Sequence, residues 1–416
     1  MRVRIHRGAR EVGGSCVEVE ARGVRMLLDL GLPLVSADGA ASPLPPVQGL
    51  DGSAPSLVGV LLSHIHADHC GLAHQLPPGI PVGIGARSNA ILRAAEYFSP
   101  HARAFTAPRW SLEDGKVLEV GPFRVTPYLV DHSAFDAFAL LLESEGRRLL
   151  YTGDLRAHGW KGRLFERLAR RVPKPVHVLM LEGTHVREDL PEAPGPTEAD
   201  VVRECTDLFR ATSGIAFVVH SAQNVDRLVT IWKAARGAGR ELAIDLYSAA
   251  VANACGVDSI PRPGFPGVAV YVPEWQRRLV GRTKEFERVD GVREIRVFGD
   301  RELKARPNAF VVAGGEHAVL DLEREGLVRD SVVVWSLWKG YLDEPGRFDL
   351  RKFVESRGGR FELVHSSGHA YVEDLRTLAR NIVPERVVPI HTFAPGRFGA
   401  LFDKVAVQPD GSWWEV

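Results

Sequence analysis

Apolar residues cluster in short blocks along the first half of the chain, and several blocks end in a histidine or an aspartate. Positions 3–5, 16–20 and 24–29 read as three early strands, with Gly13-Gly14 and Arg22-Gly23 supplying turns between them. Leu57-Val58-Gly59-Val60-Leu61-Leu62 reads as a buried strand, and apolar residues on a helical period predict a helix over 86–98. Further strands are predicted over 123–130, 138–142, 148–151 and 176–181. Residues 32–56 hold several Pro, Gly and Ser without any period, which predicts a long loop suited to walling a substrate.

The pattern changes after a Pro-rich stretch at 190–196, where Thr197-Glu198-Ala199-Asp200 reads as a capped helix start. Helices over 201–211 and 225–235 then alternate with strands over 215–220 and 242–246. Later apolar segments lie at 268–272, 295–298, 310–313 and 332–337. This alternation predicts a parallel-sheet α/β region. A strand over 361–365, a helix over 371–382 and a strand over 386–390 return to the earlier style. The expected division is a first domain in two parts, 1–195 and 356–416, with an inserted domain over 196–355.

Composition changes this picture little. A chain of 416 residues exceeds one ordinary core, so two domains are expected. With 45% hydrophobic and 25% charged residues it is an ordinary soluble globular chain. No apolar run reaches the length of a membrane span, and Met1–Arg7 alternates like a strand where a signal peptide would be continuously apolar. Cys16, Cys70, Cys205 and Cys255 show no paired spacing, which fits a reducing compartment, and Cys70 reads as packing. The expectation is a cytoplasmic protein with no membrane partner. The formal net charge of +0 provides no global field for nucleic acid, so phosphate would need metals or a local groove.

The chemistry concentrates where strands end. After the strand at 57–62 comes Ser63-His64-Ile65-His66-Ala67-Asp68-His69-Cys70-Gly71. In extended chain His64 and His66 face one side, and Asp68 and His69 turn toward a second position. Imidazole suits zinc, and carboxylate is a common companion ligand. Asp131-His132, Gly153-Asp154, Glu182-Gly183-Thr184, Ser366-Ser367-Gly368-His369 and His391-Thr392 follow later strands in the same way.

His-x-His-x-Asp-His resembles the metal motif of the metallo-beta-lactamase superfamily. That resemblance implies an αββα sandwich, here carrying an inserted α/β domain. The chain is similar to the beta-CASP branch, which acts on nucleic acids and is marked by an acidic residue, a His and a further His. Glu182, His369 and His391 match these three. Pro389-Ile390-His391 resembles the ribonuclease J group, as does His220-Ser221-Ala222-Gln223-Asn224-Val225-Asp226-Arg227 imperfectly. Ribonuclease J proper carries a further C-terminal domain used in dimer assembly, whereas this chain stops at Val416, and 335–341 differs from the group's usual segment. A shorter, related subgroup is therefore expected, with no oligomer indicated.

The resemblance implies a zinc-dependent ribonuclease acting on single-stranded RNA, with Mn²⁺ an alternative metal. His64, His66 and His132 would hold one zinc; Asp68, His69 and His391 would hold the other; Asp154 would bridge. Two such ions activate a water and clamp phosphoryl oxygens, which makes Asp68 catalytic as well as a ligand. His369 would protonate the leaving oxygen, kept basic by Glu182. An Asp in the position of Asp29 supports the metal loop in the superfamily; on sequence alone it caps a turn equally well. Ser366, Ser367 and Gly368 offer a phosphate nest. Asn224 and Ser221 either contribute to it or cap a helix, and Trp338 and Tyr341 either stack bases or pack in a core. His74, His101, His158, His185 and His317 read as structural or surface residues. The competing functions are a DNA nuclease of the same branch, a small ester or thioester hydrolase, and an inactive scaffold. The filled ligand set argues against the last.

Overall fold

The computed structural model describes residues 1–34, 42–189, 194–289, 297–298 and 300–416. Parts of the expected loop at 32–56, of the Pro-rich joint at 190–196 and of the expected strand at 295–298 lie outside the described residues. The chain forms two compact units. One comprises Met1–Leu92, Arg103–Gly195 and Gly368–Val416, and the other comprises Arg93–Ala102 and Pro196–Ser367.

The strands of the first part, in chain order, are β1 (Arg2–Arg7), β2 (Cys16–Ala21), β3 (Val24–Leu28), β4 (Leu57–Leu61), β5 (Val82–Gly85) and β6 (Trp110–Leu112). They continue as β7 (Leu118–Val120), β8 (Phe123–Val130), β9 (Ala137–Ser144), β10 (Arg147–Tyr151) and β11 (Val178–Glu182). The second unit adds β12 (Ala216–Val219), β13 (Glu241–Ile244), β14 (Val268–Tyr271), β15 (Val297–Phe298), β16 (Phe310–Gly314), β17 (Val332–Trp335) and β18 (Arg360–Leu363). Two more, β19 (Arg386–Ile390) and β20 (Trp413–Glu415), close the chain.

In the first unit the sheet β20-β1-β2-β3-β4-β5-β6 packs on the sheet β19-β11-β10-β9-β8-β7. Alternation builds this packing, because successive strand residues point to opposite faces. In β9, Phe138, Leu140 and Leu142 join Val3, Val17, Met26 and Leu28 between the sheets. Ala137, Ala139 and Leu141 face the other way, onto helices Arg163–Arg171 and Val372–Ile382 through Phe165, Leu168, Leu375 and Leu378. Both faces of β9 are thus buried, which explains its continuous apolar sequence. This is the mixed, layered α/β architecture expected of the metallo-beta-lactamase fold.

The second unit is a seven-stranded sheet in the order β15-β14-β13-β16-β12-β17-β18, parallel throughout. Helix Glu198–Ala211 begins in a capping box, where Thr197 Oγ1 accepts from Asp200 N and Asp200 accepts from Thr197 N. Helix Val225–Gly237 is capped by Asn224, whose Oδ1 accepts from Arg227 N at 3.0 Å. The wholly buried Arg227 donates to both carboxylate oxygens of Glu198 (3.2 and 3.0 Å), to Ser336 O (2.7 Å) and to Ser366 Oγ (3.0 Å). Strand β18 pairs with β17, so this unit runs on to Ser367, past the expected return at 355/356.

Candidate metal centre

The motif loop is fixed from beneath by the residues that follow β3 and by Ser15, just before β2. Leu30 N donates to His69 O (2.8 Å), Leu32 N to Ala67 O (2.8 Å) and Ser15 N to Asp68 O (3.0 Å). Gly31 is needed for this approach: a Cβ there would overlap the Asp68 carbonyl. Asp29 adopts the left-handed conformation (φ 59°), and its buried carboxylate collects four donors. Ser63 N (2.6 Å) reaches Oδ1, while Ser63 Oγ (2.8 Å), His69 Nδ1 (2.7 Å) and the Tyr151 hydroxyl (2.7 Å) reach Oδ2. Of the two readings open for Asp29, the loop-supporting one matches these bonds.

Ligand-capable atoms of His64, His66 and His132 lie within 4.8 Å of one another, and so do those of Asp68, His69, Asp154 and His391. Asp154 faces both groups. Its Oδ2 is 3.0 Å from His69 Nε2, 3.7 Å from His64 Nε2 and 4.0 Å from His132 Nε2, and its Oδ1 is 3.6 Å from His391 Nδ1. His391 Nε2 lies 3.2 Å from Asp68 Oδ2. The positive φ of Gly153 (52°) carries the chain past Ser63 and delivers Asp154.

The donors are oriented for a cation. His64 Nε2, His69 Nε2 and both Asp154 oxygens are buried and make no hydrogen bond. Buried polar atoms normally find a partner, so four orphans converging on one space mark a ligand site. The opposite nitrogens of the two orphaned imidazoles are held, His69 Nδ1 by Asp29 and His64 Nδ1 by Ser63 Oγ (3.0 Å); His132 Nδ1 is likewise held by Gly368 O (2.6 Å), its Nε2 facing His66 Nδ1 at 3.0 Å. Holding one imidazole nitrogen this way sets the tautomer that leaves the other to a metal. The residues present therefore fit a divalent cation bound by imidazole and carboxylate.

Electrostatics agree for the three-histidine group. Burial pushes His66 down to about 4 and, with the neighbouring histidines, holds His64 and His132 well below the usual range. These three imidazoles stay neutral, as ligands must. Burial would lower His69 too, but Asp154, Asp29 and Asp68 hold it well above its ordinary value. Burial opposes ionisation of Asp68 and Asp154, and the surrounding histidines outweigh it, keeping both carboxyls well below their ordinary range.

A second cluster adjoins the first. Glu182, at the buried end of β11, accepts from Thr184 N (2.9 Å) and Ala370 N (3.2 Å). His369 Nδ1 is 3.6 Å from Glu182 Oε1 and 3.7 Å from Asp154 Oδ2. Burial lowers its pKa, but Asp154 and then Glu182 raise it to about 9. Thr184 Oγ1 lies 3.0 Å from His369 Nδ1 and 2.9 Å from His391 Nδ1.

The expected metal ligands, Glu182 and His369 all belong to the first unit and come together there. Gly368 is in the same unit, its carbonyl taken by His132. Ser366, Ser367 and Asn224 belong to the second unit. Asn224 caps its helix, and Ser366 Oγ donates to Glu198 (2.8 Å), so those side chains already have structural partners. Trp338 and Tyr341 are 54% and 48% exposed and meet edge to face at 5.4 Å, which sets aside core packing. Cys70 is buried, its thiol donating to Ile65 O (3.3 Å), in keeping with a packing role. Sequence reasoning missed Tyr151 and Thr184, since a hydroxyl at a strand end carries no signal of its own.

The family description "Beta-lactamase superfamily domain" matches residues 25–230. Ribonuclease J of Mycobacterium tuberculosis is 24% identical over 94% of this chain and 68% of its own length. Ribonuclease J of Sinorhizobium meliloti is 25% identical over 84% of this chain and 60% of its own, and that of Helicobacter pylori is 20% identical over 92% and 55%. The chain thus spans 55–68% of the length of these curated relatives. A solved structure of a protein of unknown function from Enterococcus faecalis V583 shares the fold, with a TM-score of 0.75 and 21% identity over 99% of both chains. Among the described residues no helix is long and apolar enough to cross a membrane.

Proposed function

The chain carries a beta-lactamase superfamily domain, and from that premise we propose that it is a zinc-dependent phosphodiesterase hydrolysing single-stranded RNA. The observation that carries the metal dependence is the set of four orphaned, buried donor atoms on His64, His69 and Asp154. RNA enters from the ribonuclease J relatives, whose similarity extends well beyond the matched domain.

His64, His66 and His132 would hold one zinc, and Asp68, His69 and His391 the other, with Asp154 between them. Mn²⁺ suits the same donors less well, because imidazole favours zinc. When bound, two divalent ions would supply Lewis-acid activation of a water and charge neutralisation at the phosphoryl oxygens. The protein's own residues do the rest. Asp29 holds the ligand loop through Ser63, and His69 through its Nδ1. Glu182 and Asp154 face Nδ1 of His369, so that nitrogen keeps its proton. The opposite nitrogen, Nε2, gives its proton to the departing oxygen of the nucleotide, the usual task of a carboxylate-paired histidine. Ser367 and Gly368 remain candidates for phosphate contacts, and Ser366 and Asn224 contribute by holding their segments in place.

The test uses purified, zinc-loaded protein with 5′-monophosphorylated RNA, 5′-triphosphorylated RNA and the matching DNAs, followed by product sizing. Cleavage of RNA in preference to DNA is expected. Cleavage of DNA alone, or of neither polymer, refutes the reading.

A further inference from the structure

We propose that Thr184 is a positioning residue whose single hydroxyl oxygen accepts from both His391 and His369, locking each imidazole with its proton on Nδ1. The inference deepens the proposed function and rests on it where cleavage is concerned. The observation is geometric: Thr184 Oγ1 lies 2.9 Å from His391 Nδ1 and 3.0 Å from His369 Nδ1. The two rings are nearly parallel, with centroids 5.5 Å apart and planes 22° apart, as expected for two donors converging on one oxygen.

A hydroxyl oxygen has two lone pairs and one hydrogen, so it can accept twice. His391 presents Nε2 to Asp68 (3.2 Å), a fellow proposed ligand, while its Nδ1 has Thr184 Oγ1 at 2.9 Å and Asp154 Oδ1 farther off at 3.6 Å, so Nε2 is the nitrogen free of a hydroxyl partner and assigned to the cation. An imidazole that ligates through Nε2 carries its proton on Nδ1 and donates with it. Thr184 Oγ1 is the acceptor placed to receive that proton. His369 Nδ1 is faced by Thr184 Oγ1 and by the carboxylates of Glu182 (3.6 Å) and Asp154 (3.7 Å). Three acceptors around one nitrogen fix a proton there. Thr184 is itself fixed, since its backbone N–H donates to Glu182 Oε2 at 2.9 Å. The same short turn therefore orients a metal ligand and the proposed acid together, leaving Nε2 of each ring for its task.

The test compares wild type with T184V, which keeps the shape and removes the hydroxyl, and T184S, which keeps the hydroxyl. Competition with a chromophoric chelator measures zinc affinity without RNA. T184V should bind one zinc equivalent about 10–100-fold more weakly, the usual cost of removing an outer partner of a ligating histidine. T184S should match wild type. In single-turnover RNA cleavage T184V should be slower by at least about tenfold, and T184S should recover most of the rate. T184A, which adds no atoms, carries the same comparison if T184V does not fold. Wild-type zinc affinity in the hydroxyl-free variant overturns the proposal, as does an equal loss in T184S, or a wild type that binds no zinc. A wild type that binds zinc but leaves RNA intact refutes the RNA reading, while the chelator result still decides the role of Thr184.

Discussion

Asp29 shows how much one residue can set. Its carboxylate gathers two bonds from Ser63, one from His69 and one from Tyr151, all buried. Replacing it with Asn keeps the size but turns one accepting oxygen into a donor facing donors. D29N should fold and lose about 10–100-fold in zinc affinity by chelator competition; wild-type affinity would show that the loop holds itself. His369 and His391 separate in the same assay. H391A should lose or weaken one zinc along with cleavage. H369A should retain both metals and bind RNA, while cleavage falls about 10²–10⁴-fold, the usual size of a lost general acid. Zinc loss from H369A would make His369 a ligand. The proposed ligand set can be read from the sequence because its members follow apolar strands, and the fold brings them together. Thr184 cannot: it meets His391 across 207 positions, and only folding brings them together.

Strand β2 carries the clearest case of an element held by a buried charge. Glu18 is wholly buried, yet it accepts from Arg4 and His6 of β1 and from Arg25 of β3. Burial opposes its ionisation, but His6, Arg4 and Arg25 outweigh burial and bring it down to about 2 from an ordinary 4.5. A depressed carboxyl contributes stability that is full above its unfolded value and is lost as pH falls through its folded value. The contribution should be about 3 kcal/mol at neutral pH. E18Q should show that deficit in urea unfolding at pH 7, with the gap to wild type narrowing as pH drops from 4.5 toward 2. A deficit independent of pH would mean shape, not charge, ties these strands. Strand existence was easy to read here, as at 123–130 and 386–390, where pattern and structure coincide. Pairing was harder. Strand β18 reads locally like the strands that end in ligands, yet its hydrogen bonds go to β17. Register and partner depend on residues far away in sequence, which periodicity does not carry.

At the scale of the whole molecule, every proposed metal ligand, together with Glu182, His369 and Thr184, comes from the first unit, although that unit is assembled from three separate stretches of chain. The cluster of buried side chains between the sheets draws on all three stretches, and the one beneath helices Arg163–Arg171 and Val372–Ile382 joins the second and third. A unit with its own core can in principle fold alone. The ends left by removing 196–367 are suited to rejoining, since Gly195 lies against the Tyr371 ring, close in sequence to Gly368. One complication is that residues 93–102 cluster with the second unit, where Phe98 stacks on Tyr247 and Tyr97 bonds Thr283. Deleting 196–367 would strip both aromatics of these partners, so the variant should carry Tyr97→Ser and Phe98→Ser. With a short Gly-Ser linker it should melt cooperatively and bind zinc as the full chain does, because no ligand has been removed. If the proposed substrate contacts from Ser367 and the exposed Trp338–Tyr341 pair of the second unit hold a strand, RNA cleavage should be lost or greatly reduced. Zinc content and calorimetry decide the first part, and a single-turnover assay the second. If the deleted protein folds but takes up no zinc, the metal centre depends on the second unit. If it cleaves RNA at the full rate, the second unit holds no substrate.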